Sequence, residues 1–397
     1  MRSYSLYIHI PFCTRRCIYC DFNTYAGKNN LIPEYIRALC AEIEAVVSKG
    51  GFSPHLHTVY FGGGTPSVVP VSDLASVFRA IRDSFELDRE AEITLEANPG
   101  SLTLSYLSDL ARLGVNRLSL GMQSADIDEL HMLGRDHTVE DVVRCVGWSR
   151  EAGIAQLSLD LLFGLPDQTM ETWKDSLSQA VALHPDHLSL YSLTLEPGTR
   201  LAHLVSTGHL AAPDDDLAAD MYEWATAFLD GYGYVQYEIS NWAQADGHES
   251  LKACRHNLQY WRNQPYFGVG AGAHGYLDGM RTANVMSPEL YIQRYHKAVQ
   301  CDKERYPRTF ATASMRRIRQ ADEMAETMLM GLRLVQEGVS NSAFRQRFGS
   351  SMEAVYGKEI AELIELGLLE WMGESRKRLR LTERGRLLAN QVFLRFL

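Results

Sequence analysis

Tyr7-Ile8-His9-Ile10-Pro11-Phe12-Cys13-Thr14-Arg15-Arg16-Cys17-Ile18-Tyr19-Cys20 places three cysteines within eight residues, directly after a short β-rich run, Ser5–Ile10. The spacing is Cys-x3-Cys-x2-Cys. Thiolates are soft ligands that suit iron–sulfur clusters and zinc. A structural zinc site normally closes with about four protein ligands, and no fourth thiol lies in this loop. A 4Fe–4S cluster held by three cysteines leaves one iron open to a substrate or cofactor. The other reading is a zinc site completed by a distant group such as His9 or Cys40. Ligand softness and count favour the cluster.

Outward from this loop the chain alternates. β-rich runs occupy Ser5–Ile10, Thr58–Phe61, Glu92–Ala97, Arg117–Met122, Gln156–Phe163 and His187–Leu195. Amphipathic stretches lie between them, over Pro33–Ser48, Ser72–Phe85, Leu104–Leu113, Val139–Ala152 and Met170–Leu183. Strands separated by helix-length segments predict βαβ units and a parallel sheet, here most of a β/α barrel. In such barrels the chemistry sits at the C-terminal strand ends. Those ends carry the unusual residues: the cysteine loop, Gly62-Gly63-Gly64-Thr65-Pro66, Glu96-Ala97-Asn98-Pro99, Gly121-Met122-Gln123-Ser124, Asp160 before Gly164-Leu165-Pro166, and Thr194-Leu195-Glu196-Pro197-Gly198. Six polar or glycine-rich ends in succession predict one shared site.

Composition bounds the rest. The 397 residues are 46% hydrophobic and 22% charged, which excludes a disordered chain or a fibre. No apolar run is long enough to span a bilayer, and Met1–His9 lacks the features of an export signal. The expected location is therefore the cytosol, with peripheral membrane association left open. A net charge of −10 argues against a nucleic-acid partner. Seven cysteines without a dense framework indicate a reducing compartment. After Asp214 a helix (to Asp230) and a strand (Tyr232–Ile239) are expected, then an aperiodic stretch over 247–285. Gln320–Leu334, Ser342–Phe348 and Val355–Leu366 read as helices, and Leu369–Met372 and Arg380–Thr382 as a hairpin, which together resemble a winged helix. The expected domains are 1–305, the partial barrel, and 306–397, a smaller helical domain.

At this point the chain resembles the radical S-adenosylmethionine superfamily, on Cys-x3-Cys-x2-Cys with Tyr19 and on the Gly62–Pro66 loop. That resemblance implies an α/β fold with a partial six-stranded TIM-like barrel. It also implies a 4Fe–4S cluster on Cys13, Cys17 and Cys20, whose open iron takes the amino and carboxylate groups of S-adenosylmethionine. An electron from the cluster then gives a 5′-deoxyadenosyl radical. Nearly the whole chain is similar to the oxygen-independent coproporphyrinogen III oxidase group, through Tyr7–Cys13, Gly62–Pro66, Asp160–Pro166 and the helical C-terminal part. Carried over by position, Tyr7, Tyr19, Gly63, Gly64, Thr65, Glu96, Gln123, Arg135, Asp160, Leu162 and Thr194 become cofactor contacts. Chemistry agrees: glycines admit close backbone approach, Glu96 and Asp160 accept from an ammonium and hydroxyls, and Arg135 can grip a carboxylate. Taken singly, a strand-end acid is as often a helix cap.

Two features separate the oxidase branch of this group from its haem-chaperone branch. The oxidase resembles Cys-x3-Cys-x2-Cys-x-Cys, whereas here that last position is Phe22, and only six residues precede Tyr7. His256-Asn257-Leu258-Gln259-Tyr260-Trp261 looks like the motif of the chaperone branch. His256 can offer an imidazole to haem iron, and Tyr260 and Trp261 offer flat apolar faces. Without the family, aromatic packing and a hydrogen-bonded histidine are the default. The resemblance therefore implies a haem chaperone whose partners are haem, acceptor haem proteins including membrane respiratory components, and an electron donor for the cluster. The alternative is radical decarboxylation of coproporphyrinogen III. Gly268–Gly275 mimics a dinucleotide fingerprint but lacks the βαβ setting and acidic residue, so a nicotinamide site is rejected. Its His274 is a minor candidate haem ligand. Arg376, Lys377, Arg378 and Arg380 read as a solvated hairpin, Cys145 as core, and the role of His9 stays open.

Overall fold

The computed structural model describes residues 3–48, 53–245, 251–298, 307–373 and 377–397. They form two compact units, Met1–Ala225 with Pro265–Arg316, and Thr226–Gln264 with Arg317–Leu397. The expected domain cut near 305, Cys301 and Arg376 lie outside the described residues.

The first unit is an α/β structure on six parallel strands: β1 (Ser3–Ile10), β2 (His55–Gly63), β3 (Glu86–Ala97), β4 (Arg117–Gln123), β5 (Gln156–Phe163) and β6 (His187–Ser192), side by side in chain order. Between them run α1 (Ile32–Ser48), α2 (Val71–Ser84), α3 (Leu104–Leu113), α4 (Val139–Glu151) and α5 (Met170–Ala182). Helix starts follow local chemistry. Thr103 caps α3 by accepting from Tyr106 N–H, and Thr138 with Asp141 and Thr169 with Thr172 form reciprocal capping boxes on α4 and α5.

Register gives the sheet two unlike faces. Ser5, Tyr7 and His9 stand beside Thr58, Tyr60 and Gly62. Thr58 and Tyr60 stand beside Glu92 and Thr94. Thr94 and Glu96 stand beside Arg117 and Ser119. Arg117, Ser119 and Gly121 stand beside Gln156, Ser158 and Asp160, and Ser158 and Asp160 beside His187 and Ser189. Side chains alternate along a strand, so all of these share one face. The opposite face carries Leu6, Ile8, Val59, Phe61, Ile93, Leu95, Leu118, Leu120, Leu157, Leu159, Leu188 and Leu190, all buried. Covering such residues contributes roughly 1.5–3 kcal/mol each.

Among the boundaries that differ from expectation, two have a plain cause. β3 begins at Glu86, because its first residues are polar and give no apolar signal, while their backbone pairs with His55 and Leu56. β6 stops at Ser192 rather than Leu195, because Leu193 turns into an apolar cluster with Leu133, Leu162, Leu165 and Leu201. The aperiodic stretch contains Tyr266–Val269, parallel to the free side of β1, followed by the antiparallel pair His274–Leu277 and Met280–Asn284.

A buried carboxylate fastens this added edge. Glu42 of α1 accepts from Gly270 N–H at 2.7 Å, Tyr291 O–H at 2.6 Å, Asn284 Nδ2 at 2.8 Å and Thr309 Oγ1 at 2.9 Å. The glycine run therefore serves to bring backbone against α1 and β1: a methyl on Gly270, whose φ is +98°, would lie 2.5 Å from His9 O.

The second unit holds helices Gln320–Gly331, Asn341–Phe348 and Met352–Glu365. Its three-stranded antiparallel sheet runs Val339–Ser340, Arg378–Leu381, Leu369–Met372. Phe344, Ile360, Leu363, Leu379 and Leu381 share its core. Arg378 and Arg380 pair with Glu337 and Glu370. A strand pair, Tyr234–Glu238 with Asn241–Gln244, and the helix Arg255–Trp261 complete the unit. No described helix is long and apolar enough to cross a membrane.

Removing the Glu42 carboxylate takes an acceptor from four donors at once, of which Asn284 and Thr309 keep a second partner, and a donor buried without a partner costs about 1–3 kcal/mol. Glu42→Ala is expected to lower unfolding free energy by roughly 3 kcal/mol or more, read as a fall in the urea midpoint. A midpoint within error of wild type would refute the hub.

Candidate functional site

The cysteine loop leaves the end of β1 and is anchored by backbone. Ile18 N–H donates to Leu133 O at 3.2 Å, and Leu201 N–H to Ile18 O at 2.9 Å. Gly64 and Thr65 N–H donate to Ile10 O and Phe12 O, both at 2.8 Å. All six described cysteines are free thiols. Cys13 is buried; Cys17 and Cys20 are half-buried.

One directed chain of hydrogen bonds reaches the loop. Arg135 Nη1 donates to Asn98 Oδ1 at 2.6 Å, Asn98 Nδ2 donates to Thr65 Oγ1 at 3.3 Å, and Thr65 Oγ1 donates to Cys13 Sγ at 3.5 Å. Arg135 Nη2 also donates to Tyr19 Oη at 2.9 Å. Burial pushes the Cys13 thiol up, and the Thr65 bond opposes that. Burial likewise pushes Tyr19 up to about 12, against the Arg135 charge. Arg135 Nε is buried with no partner, so the guanidinium has one donor to spare.

Gly121 and Gln123 lie beside Arg135. A methyl on Gly121 would meet Gln123 Nε2 at 2.8 Å and Arg135 Nη2 at 3.3 Å. Gln123 itself sits at φ 65°, a conformation that costs a non-glycine residue energy and clusters at functional sites.

Glu96 and Asp160 stand deeper on the polar face. Glu96 accepts from Tyr60 O–H at 2.7 Å and Gly63 N–H at 3.1 Å. Burial, with the nearby Asp160 charge adding, raises it to about 7. Asp160 accepts from Ser119 Oγ at 3.0 Å and is also raised by burial. Gly63 has φ +114°, and a methyl there would strike the His9 ring at 2.4 Å.

Tyr7 and His9 form a second relay. His9 Nε2 lies 3.0 Å from Asn23 O, which can only accept, so Nε2 carries the proton. Burial lowers His9 and keeps it neutral. Nδ1 is then the acceptor for Tyr7 O–H at 3.0 Å. With both ring nitrogens engaged, His9 has none left for a zinc ion, and Cys40 lies on α1 among Arg37, Glu44 and Asp73 instead. Among the described residues no three His, Cys, Asp or Glu side chains are placed to hold a single metal ion.

The structure thus places Tyr7, Gly63, Glu96, Gln123 and Asp160 in the C-terminal halves of the parallel strands, and Cys13, Cys17, Tyr19, Cys20, Gly64, Thr65 and Arg135 in segments beyond strand ends. Leu162 packs in the apolar cluster that Ile18 and Tyr19 lean against, and Thr194 is exposed beyond β6. Asn98, Tyr60, Ser119 and Asn23 were missed by sequence reasoning. Only Asn98 had a signal, its place at a flagged strand end.

His256 belongs to the second unit. It is buried in the helix Arg255–Trp261, with Nε2 3.0 Å from Tyr260 Oη and the two rings edge to face. Trp261 carries the Arg333 guanidinium over its ring at 4.5 Å.

A six-stranded parallel sheet with three clustered thiols and a glycine loop at its carboxyl edge defines a radical S-adenosylmethionine superfamily protein, and residues 7–180 match the model of that superfamily. Residues 318–388 match the HemN C-terminal domain. The heme chaperone HemW of Bacillus subtilis is 38% identical, over 99% of both chains. The heme chaperone HemW of Mycobacterium tuberculosis H37Rv is 36% identical, over 98% of this chain and 94% of its own. Coproporphyrinogen III oxidase (HemN) of Escherichia coli, a radical SAM enzyme, shares the fold with a TM-score of 0.82 at 23% identity, over 100% of this chain and 90% of its own. The chain belongs to the HemW family.

Glu96 offers a pH test. Its folded value near 7 lies above the ordinary carboxyl value of about 4.3. Its contribution to stability is complete below that ordinary value and is lost as pH rises through about 7. Urea unfolding between pH 5 and 8 is expected to show stability falling with pH, and Glu96→Gln to flatten the fall. Parallel curves for the two proteins would sink the assignment.

Proposed function

We propose that this protein is a haem chaperone that binds haem and passes it to acceptor haem proteins, membrane respiratory components among them. On this reading Cys13, Cys17 and Cys20 hold a 4Fe–4S cluster, and S-adenosylmethionine lies against Tyr7, Tyr19, Gly63, Gly64, Thr65, Glu96, Gln123, Arg135, Asp160, Leu162 and Thr194. The observation that carries it is full-length similarity to heme chaperone HemW, together with His256, Tyr260 and Trp261 on one short helix.

The residues present fit these groups. Three free thiols on one loop, with a hydroxyl donating to one of them, form a soft donor set suited to a cube whose corners are ligated one by one. The spare Arg135 Nε–H and the nearby acids Glu96 and Asp160 suit a zwitterion with a carboxylate and an ammonium. When bound and reduced by an electron donor, the cluster supplies one electron to the sulfonium. The chain's own part is to orient: Arg135 holds a carboxylate, Thr65 steadies Cys13, and the glycine loop leaves backbone within reach.

At the other motif, His256 Nε2 is hydrogen-bonded to Tyr260 Oη at 3.0 Å. That bond must open before this nitrogen can face haem iron. Coproporphyrinogen oxidation is disfavoured by Phe22, 65% exposed where the oxidase branch resembles a cysteine.

Haem titration of the reconstituted protein is expected to give a Soret band that His256→Ala weakens, and coproporphyrinogen III is expected to remain unconverted anaerobically. Anaerobic reconstitution is expected to give about four irons per chain, lost in Cys17→Ala. No Soret band in wild type would overturn the haem reading, and zinc in place of iron would overturn the cluster.

A further inference from the structure

The second unit contains a hollow of about 370 Å³ that the haem motif enters through Trp261. Leu334, Val339 and Phe344 supply apolar wall, and Arg262, Arg347 and Arg378 supply three guanidiniums. A volume of this size, mostly apolar but with a few convergent polar groups, is the usual form of a small-molecule site.

Its charge is unbalanced toward cation. Glu337 is the single acid on the lining, and it is shared: Oε2 accepts from Arg262 Nη2 at 2.7 Å and Oε1 from Arg378 Nη2 at 2.9 Å. Arg347 has its own partner in Glu323, at 2.5 Å. Among the described residues two guanidiniums share this one carboxylate, which leaves net positive charge on the lining. Both are partly exposed, so an incoming carboxylate can reach them without unfolding the unit.

The indole is held in place. Arg333 covers the Trp261 ring and is itself paired with buried Glu238 at 2.5 Å. Trp261 Nε1 is buried without an acceptor. Trp261 stands five residues beyond His256 on the same helix, a rise of about 7.5 Å. The helix Arg255–Trp261 thus carries both His256 and one wall of the hollow.

We propose that this hollow takes the carboxylate-bearing edge of a planar tetrapyrrole, with Trp261 against the macrocycle and Arg262 and Arg378 on its propionates. The inference rests on the haem reading above and assigns to it a site that does not depend on iron.

Iron-free protoporphyrin and haem, titrated separately into the full-length protein, test it. Arg262→Ala/Arg378→Ala is expected to weaken both ligands about a hundredfold, since each of the two carboxylate–guanidinium bonds is worth roughly a factor of ten. Ala343→Trp, at an exposed lining position, fills the hollow without touching a charge and is expected to weaken both equally. His256→Ala is expected to leave protoporphyrin binding unchanged. Wild-type affinity for both ligands in the arginine pair and in Ala343→Trp would overturn this site and leave the haem reading standing. Absence of haem binding by wild type would overturn both.

Discussion

A period of two along six strands governs this molecule. On one side of the parallel sheet nearly every position is leucine, isoleucine, valine, alanine or phenylalanine, and on the other nearly every position is serine, threonine, tyrosine, histidine or an ionisable group. Helices must cover the first side to remove it from water. The second side is left facing itself, with serines and threonines close enough to satisfy the acids among them. A doubly covered parallel sheet usually reads as continuous apolar strands. Here the departure from that rule leaves a polar interior on one side of the sheet.

The cysteine loop depends on this interior rather than on its own sequence. Nothing between Cys13 and Cys20 folds locally as a helix or strand beyond two residues. Its place is set by Ile18 bonding to Leu133 and Leu201, and by Thr65 bonding to Cys13. Arg135, Asn98 and Thr65 donate in one direction toward sulfur, so each bond polarises the next. A loop held by two short helices and one strand-end loop can be precise without being regular.

Much of this was legible in the residues. The six strands and five helices follow from short β-rich runs alternating with amphipathic ones, and Gln156–Phe163 and Leu104–Leu113 begin and end where the periodicity places them. The glycine loop and the strand-end acids announced a site because packing does not ask for them there. What stayed hidden depended on distance in sequence. Glu42 sits in an ordinary helical pattern, and only the approach of residues 270, 284, 291 and 309 reveals it as a buried hub. Asn98 bridges Thr65 and Arg135 through a contact that no local signal encodes. Tyr266–Val269 was unreadable because a strand of four residues is too short to show a period.

The Glu42 contacts bear on synthesis. This carboxylate leaves the ribosome early, yet one of its donors, Thr309, lies 267 positions later. Because translation is vectorial, the wall beside β1 cannot close while only the six-stranded part has been made. Until then α1 carries an acid with its native donors missing, and the nascent sheet keeps an open flank beside its first strand. Completion of the interior therefore waits for the arrival of the segment after residue 265.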